Sequence, residues 1–126
     1  MKKLLIFALL LTLLSAGFSV SIVQAQTVTD CQALIDQTTA DLAGVTISGN
    51  NAEQTRASLA AKLSDASTKL TEGKYLDAIE KLLDFRASVE KLAMAAKPKI
   101  SQGDAQVLIT DADNAIACIQ GLIVEG

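Results

Sequence analysis

Residues 59–89 read LAAKLSDASTKLTEGKYLDAIEKLLDFRASV. Leu59, Leu63, Ala66 and Leu70 recur at steps of four, three and four, which keeps them on one stripe of a helix. Gly73 then interrupts the pattern, because glycine reaches the left-handed conformation that a helix stop requires. The stripe resumes at Ala78, Leu82, Phe85 and Val89. Two amphipathic helices joined by a tight turn are therefore expected, and the rest of the chain extends the same pattern outward.

Downstream, the third helix runs from about Lys74 to Ala96, with Leu92 and Ala96 continuing its stripe and Tyr75, Ile79 and Leu83 widening it. Pro98 forbids continuation past Lys97. A fourth helix starts at Ser101, with Asp104 at the capping position. It turns Ala105, Leu108, Ile109, Ala112, Ile116, Ile119 and Ile123 inward. Upstream, a first helix spans about Asp30 to Ala43, opened by Thr29 and Gln32 as a capping box. Cys31, Ile35, Thr38, Leu42 and Val45 share its face. Residues 44–50 form a connection whose Val45-Thr46-Ile47 is extended, and Asn50 with Glu53 opens the second helix. Four helices with short connectors predict an all-α, up-down-up-down four-helix bundle.

The first 25 residues differ in kind. Lys2 and Lys3 give a basic start, Leu4 to Leu14 is an apolar run broken by Thr12, and Val23-Gln24-Ala25 suits a processing enzyme. That order is the pattern of a secretory signal peptide with cleavage after Ala25. Leu4 to Ala25 is also long enough to cross a bilayer, so an uncleaved anchor is the alternative, and the membrane is a partner only in that case. Removal of the leader leaves one domain of 101 residues, and the chain is expected to be exported, to the periplasm or outside the cell.

Both cysteines, Cys31 and Cys118, fall in the mature part, and an exported chain with two cysteines usually pairs them. In an up-down bundle the start of helix one and the end of helix four share a pole, which is where these residues lie. The disulfide would close a loop of 87 residues, worth about 4–5 kcal/mol in the chain-entropy model.

From Arg56 to Ile119 the sequence resembles the FIMAH-type helical module of secreted bacterial proteins. The likeness is carried by Leu59-Ala60-Ala61-Lys62-Leu63, Leu70, Gly73, Ala78, Leu82, Phe85 and Val89, by Lys97-Pro98-Lys99-Ile100-Ser101, and by Asp104-Ala105, Leu108-Ile109, Ala112 and Ile116. Ala96 and Pro98 depart from the glycine and lysine usual in that turn. The resemblance implies an extracytoplasmic interaction or accessory module and brings no catalytic residues.

Chemistry is constrained chiefly by what is missing. No histidine occurs, which removes the commonest general base near neutral pH, Ser-His-Asp and Cys-His nucleophiles, and the Glu-x-x-His di-iron site. Met94 is the only methionine beyond the leader, and no glycine-rich phosphate loop is present. Asp111-Ala112-Asp113-Asn114 does not make a calcium loop, since Ile116 and Leu122 stand where glycine and glutamate are needed. No cofactor, metal or catalytic residue is expected. Phe85 belongs to the core and Tyr75 to its edge.

Charge gives the positive hint. Residues 26–53 carry Asp30, Asp36, Asp41 and Glu53, and residues 101–126 carry Asp104, Asp111, Asp113 and Glu125, with no basic residue in either stretch. All nine basic residues beyond the leader lie between Arg56 and Lys99, and the mature net charge of −5 makes nucleic acid a poor partner. Asp36, Asp41, Asp111 and Asp113 are the candidate acidic interaction face, for a protein or envelope component with cationic groups. A non-catalytic interaction or structural role is expected. A small enzyme or ligand carrier that uses carboxylates only is the remaining alternative.

Overall fold

The computed structural model describes residues 27–125. The leader read over residues 1–25 lies outside the described residues. Four helices follow one another: α1 (Val28–Gly44), α2 (Ala52–Thr71), α3 (Tyr75–Met94) and α4 (Gln102–Glu125), with no strand among the described residues. The principal contacts run in a ring, α1 on α2, α2 on α3, α3 on α4 and α4 back on α1.

The first helix begins earlier than expected. Asp30 N–H donates to Thr27 Oγ1 at 3.1 Å, and Thr27 N–H donates to Asp30 Oδ2 at 3.0 Å. This box uses Thr27, not Thr29, because Asp30 supplies an anionic carboxylate to the helix start, whereas the amide of Gln32 donates across to Ser67 on α2. The Asn50–Glu53 box also fails. Asn51 is the N-cap of α2 and makes no side-chain cap bond. Gly49, at φ +105°, sets the turn, with Ala52 N–H on Gly49 O at 3.3 Å. Helix α2 ends as expected at Gly73. Lys74 N–H reaches Lys69 O at 2.8 Å and Gly73 N–H reaches Leu70 O at 3.0 Å, the paired bonds of a Schellman stop, with Gly73 at φ +80°.

Helix α3 stops at Met94, short of Ala96. Ala95 is already extended, and Lys99 N–H takes Leu92 O at 3.1 Å, so the chain folds back before Pro98. Ala96 is consequently exposed, and Ala93 fills the inward place instead. On α4, Ser101 is the capping group: its Oγ accepts from Asp104 N–H at 3.0 Å, so Asp104 is the capped residue and not the cap.

The core takes Cys31, Ile35, Leu42, Leu59, Leu63, Leu70, Leu82, Phe85, Val89, Leu108 and Ile119, with Ala66, Ala78, Ala105, Ala112 and Ala115 between them. Small alanines let helix axes approach closely, and burial of the larger side chains supplies the apolar driving force. Val45 and Ile47 alternate with exposed Thr46, so the extended connection plugs one pole. There Ser48 N–H on Lys99 O at 2.9 Å ties the two connections together. Leu83 and Ile123, expected inside, are 50% and 39% exposed. Leu83 sits at the edge of its stripe, and Ile123 lies in the last turn of α4.

Candidate functional site: the seam between α1 and α4

Helix α4 meets α1 through a stripe that repeats every seven residues, Asp104, Asp111 and Cys118. Residues seven apart lie two turns apart on nearly the same face. All three are tied to α1 or the connection after it. Cys118 is bonded to Cys31, with Cα atoms 5.5 Å apart. Asp111 is hydrogen-bonded to the side chain of Asp41. Asp104 Oδ2 accepts from Thr46 N–H at 3.4 Å. The seam is thus closed by a covalent bond, an acid–acid contact and a backbone-to-carboxylate contact in succession.

The middle tie is the unusual one. Asp111 is partly buried, its Oδ2 is shut off from solvent, and among the described residues no hydrogen-bond donor reaches that atom. Across from it Asp41 already accepts from Gln37 Nε2 at 3.1 Å. Two carboxyl groups bond to each other only when one carries a proton. Burial, the hydrogen bond to Asp41 and the repulsion of the Asp41 charge, in that order, push the Asp111 carboxyl up to about 7. Thr38, fully buried one turn before Asp41, is satisfied within its own helix by Leu34 O at 2.9 Å.

The four-acid face expected from the sequence therefore divides. Asp41 and Asp111 come together at the seam. Asp113 turns to the other side of α4, where its Oδ1 accepts from Arg86 Nε at 2.9 Å, and Arg86 also holds Glu90 at 3.0 Å. Asp36 is exposed on α1. The seven-residue spacing of Asp104, Asp111 and Cys118 is the sequence signal that singles out the seam carboxylates.

Elsewhere the described surface carries several shallow grooves, and two of them are notable. One, between α2 and α3, is rimmed by Thr55, Ser58, Ser88 and Lys91 over Leu59 and Leu92. The other lies at the pole shared by the start of α3 and the end of α4, lined by Tyr75, Leu76, Leu122 and Ile123. Leu76 is 72% exposed and Val124, beside it in sequence to Ile123, is 85% exposed. Helix α4 is long and apolar enough over Gln102–Val124 to cross a membrane, with mean hydropathy 1.5, but Leu108, Ala112, Ala115 and Ile119 lie buried in the bundle. Among the described residues no group of three or more acidic or cysteine side chains is placed to hold a metal ion. No protein-family model matches the chain, and no curated protein or solved structure matches it either.

Proposed function

We propose that the chain is an exported, non-catalytic helical module that acts by presenting its surface to a protein or envelope component, in the periplasm or outside the cell. The buried Cys31–Cys118 bond is the observation that carries this reading, because such a bond persists in oxidising compartments and is rare in the cytosol. The leader-like pattern of residues 1–25 supports the same compartment. The bundle runs up-down-up-down, supported by the ring of helix contacts and by connectors too short to cross it. The FIMAH-type likeness over residues 56–119 takes in most of α2, all of α3 and most of α4, and leaves α1 as an added helix held by the disulfide.

The partner is cationic. Helices α1 and α4 bear only acidic charges, with Asp36 open to solvent, whereas every basic residue beyond the leader lies from Arg56 to Lys99. Fractionation of the producing cells, followed by mass spectrometry of the recovered protein, tests the compartment. A chain starting at Gln26 in the periplasm or medium, lighter by two hydrogens than the dithiol, is expected; a full-length dithiol in the cytosol overturns the reading. Oxidised protein used as bait on envelope extract is expected to retain a partner that 0.5 M salt, on the order of three times physiological ionic strength, releases.

A second reading keeps the leader as an anchor. It is favoured by the exposed Leu76, Ile123 and Val124 at the pole where the described chain begins at Thr27, with Val28 beside Thr71 of α2. Recovery of the intact Met1 chain in the membrane fraction decides for it.

A further inference from the structure

We propose that Asp41 and Asp111 form a proton-sharing lock across the α1–α4 seam, closed in mildly acidic surroundings and loosened in alkaline ones. The inference goes beyond the exported-module reading and does not depend on it, since it concerns the folded domain wherever that domain resides.

Geometry carries it. Asp41 and Asp111 meet across the packed α1–α4 contact, and Gln37 gives its amide hydrogen to Asp41 Oδ1, which favours the shared proton on the more enclosed Asp111. No other donor reaches the buried Asp111 Oδ2 among the described residues. Among the described residues no cation pairs with either carboxyl: from α2, Arg56 gives its Nη1 hydrogen to Leu42 O and lies 4.0 Å from Glu53. On the α1 side the charged groups are Asp30, Asp36 and Asp41, all acidic. On α4 itself Asp104 lies two turns before Asp111, and its carboxylate is turned to the Thr46 amide. From α3, Arg86 is engaged by Asp113 and Glu90. Loss of the proton therefore leaves two carboxylates in contact, one of them partly desolvated, and the seam gains repulsion where it had a bond.

The direction in pH follows from linkage. In the unfolded chain an aspartate releases its proton near about 3.9; in the fold Asp111 holds it to about 7. Between those values the folded state binds a proton that the unfolded state has lost. The stabilisation is fully present below about pH 4 and fades as pH rises through about 7. The chain contains no histidine, and both cysteines are bonded, so no imidazole or thiol adds to the pH dependence in this window. Asp41 lies ten residues beyond Cys31, about 15 Å along α1. The disulfide holds one end of the seam, and the lock governs its middle.

The test uses disulfide-bonded protein purified from the cells that make it, with Asp111→Asn and Asp41→Asn beside the wild type. Either asparagine donates an amide hydrogen to the remaining carboxylate and removes the need for a shared proton. The wild-type urea midpoint is expected to fall by about 1 M between about pH 5.5 and 8.5; Asp111→Asn is expected to be flat, and Asp41→Asn to keep a smaller fall, because Asp111 remains buried there without the opposing charge. Over the same range, amide exchange corrected for intrinsic chemistry should rise about tenfold more in residues 38–44 than in residues 31–35. The Asp111 carboxyl carbon, followed by NMR in the unaltered protein, should titrate near 7. A wild-type midpoint that does not move, a fall that persists in Asp111→Asn or is undiminished in Asp41→Asn, or an Asp111 carbon titrating near 4 each overturns the proposal. The carbon titration decides the matter should either variant fail to fold.

Discussion

Gly73 stands at φ +80°, and its two neighbouring hydrogen bonds close the turn between α2 and α3. No atom lies within 4 Å of where a Cβ would sit, so Gly73→Ala meets backbone strain and no clash. It is expected to lower stability by about 1 kcal/mol, measured by urea unfolding. Phe85 is the contrasting position, the one fully buried aromatic side chain among the described residues. Phe85→Ala is expected to cost about 3–5 kcal/mol in the same measurement, because it removes the largest fully buried side chain of the core and leaves a cavity. Both roles were legible in the sequence. Gly73 breaks two long stripes, and Phe85 falls on one. The role of Asp111 was not. Its position beside Asp113 in an acidic run suggested a solvated face, yet the two residues lie some 200° apart around a helix and meet different neighbours. Arg86 draws Asp113 to α3, and Asp111 is left to Asp41.

At the scale of the element, the existence and order of the four helices followed from periodicity, and their ends did not. The caps that decide an end compete locally. Thr27 with Asp30 displaced Thr29 with Gln32, since Gln32 has a partner on α2. Proline at 98 marked the end of α3 only from outside, while the return of Lys99 N–H to Leu92 O set the actual stop. Helix α1 makes its larger contact with α4, across the longest sequence separation in the fold. Closing that loop of 87 residues is the entropic burden that the disulfide removes from the unfolded chain. Replacing both Cys31 and Cys118 by serine is expected to cost about 4 kcal/mol. The loss should appear first as faster amide exchange in α1, with α2 and α3 still protected, because those two helices share the largest contact.

Over the whole molecule, charge is segregated by helix. Helices α1 and α4 carry only acidic charges, and every cation beyond the leader lies on α2, on α3 or in the connection that follows each of them. A field of that form steers a cationic partner to one side and is weakened by salt. Sequence alone revealed the segregation, because it depends only on which helix carries each residue. The use of each carboxylate depends on helix rotation, which only the packed bundle defines. The covalent tie between the first and last helices staples the ring that packing closes, and peptide mapping tests it most directly. Protein recovered from the producing cells is alkylated, digested without reductant and analysed by mass spectrometry. The expected result is a peptide containing Cys31 joined to one containing Cys118, with neither alkylated. Recovery of both as separate alkylated peptides from folded protein would contradict the stapled bundle and the oxidising compartment together.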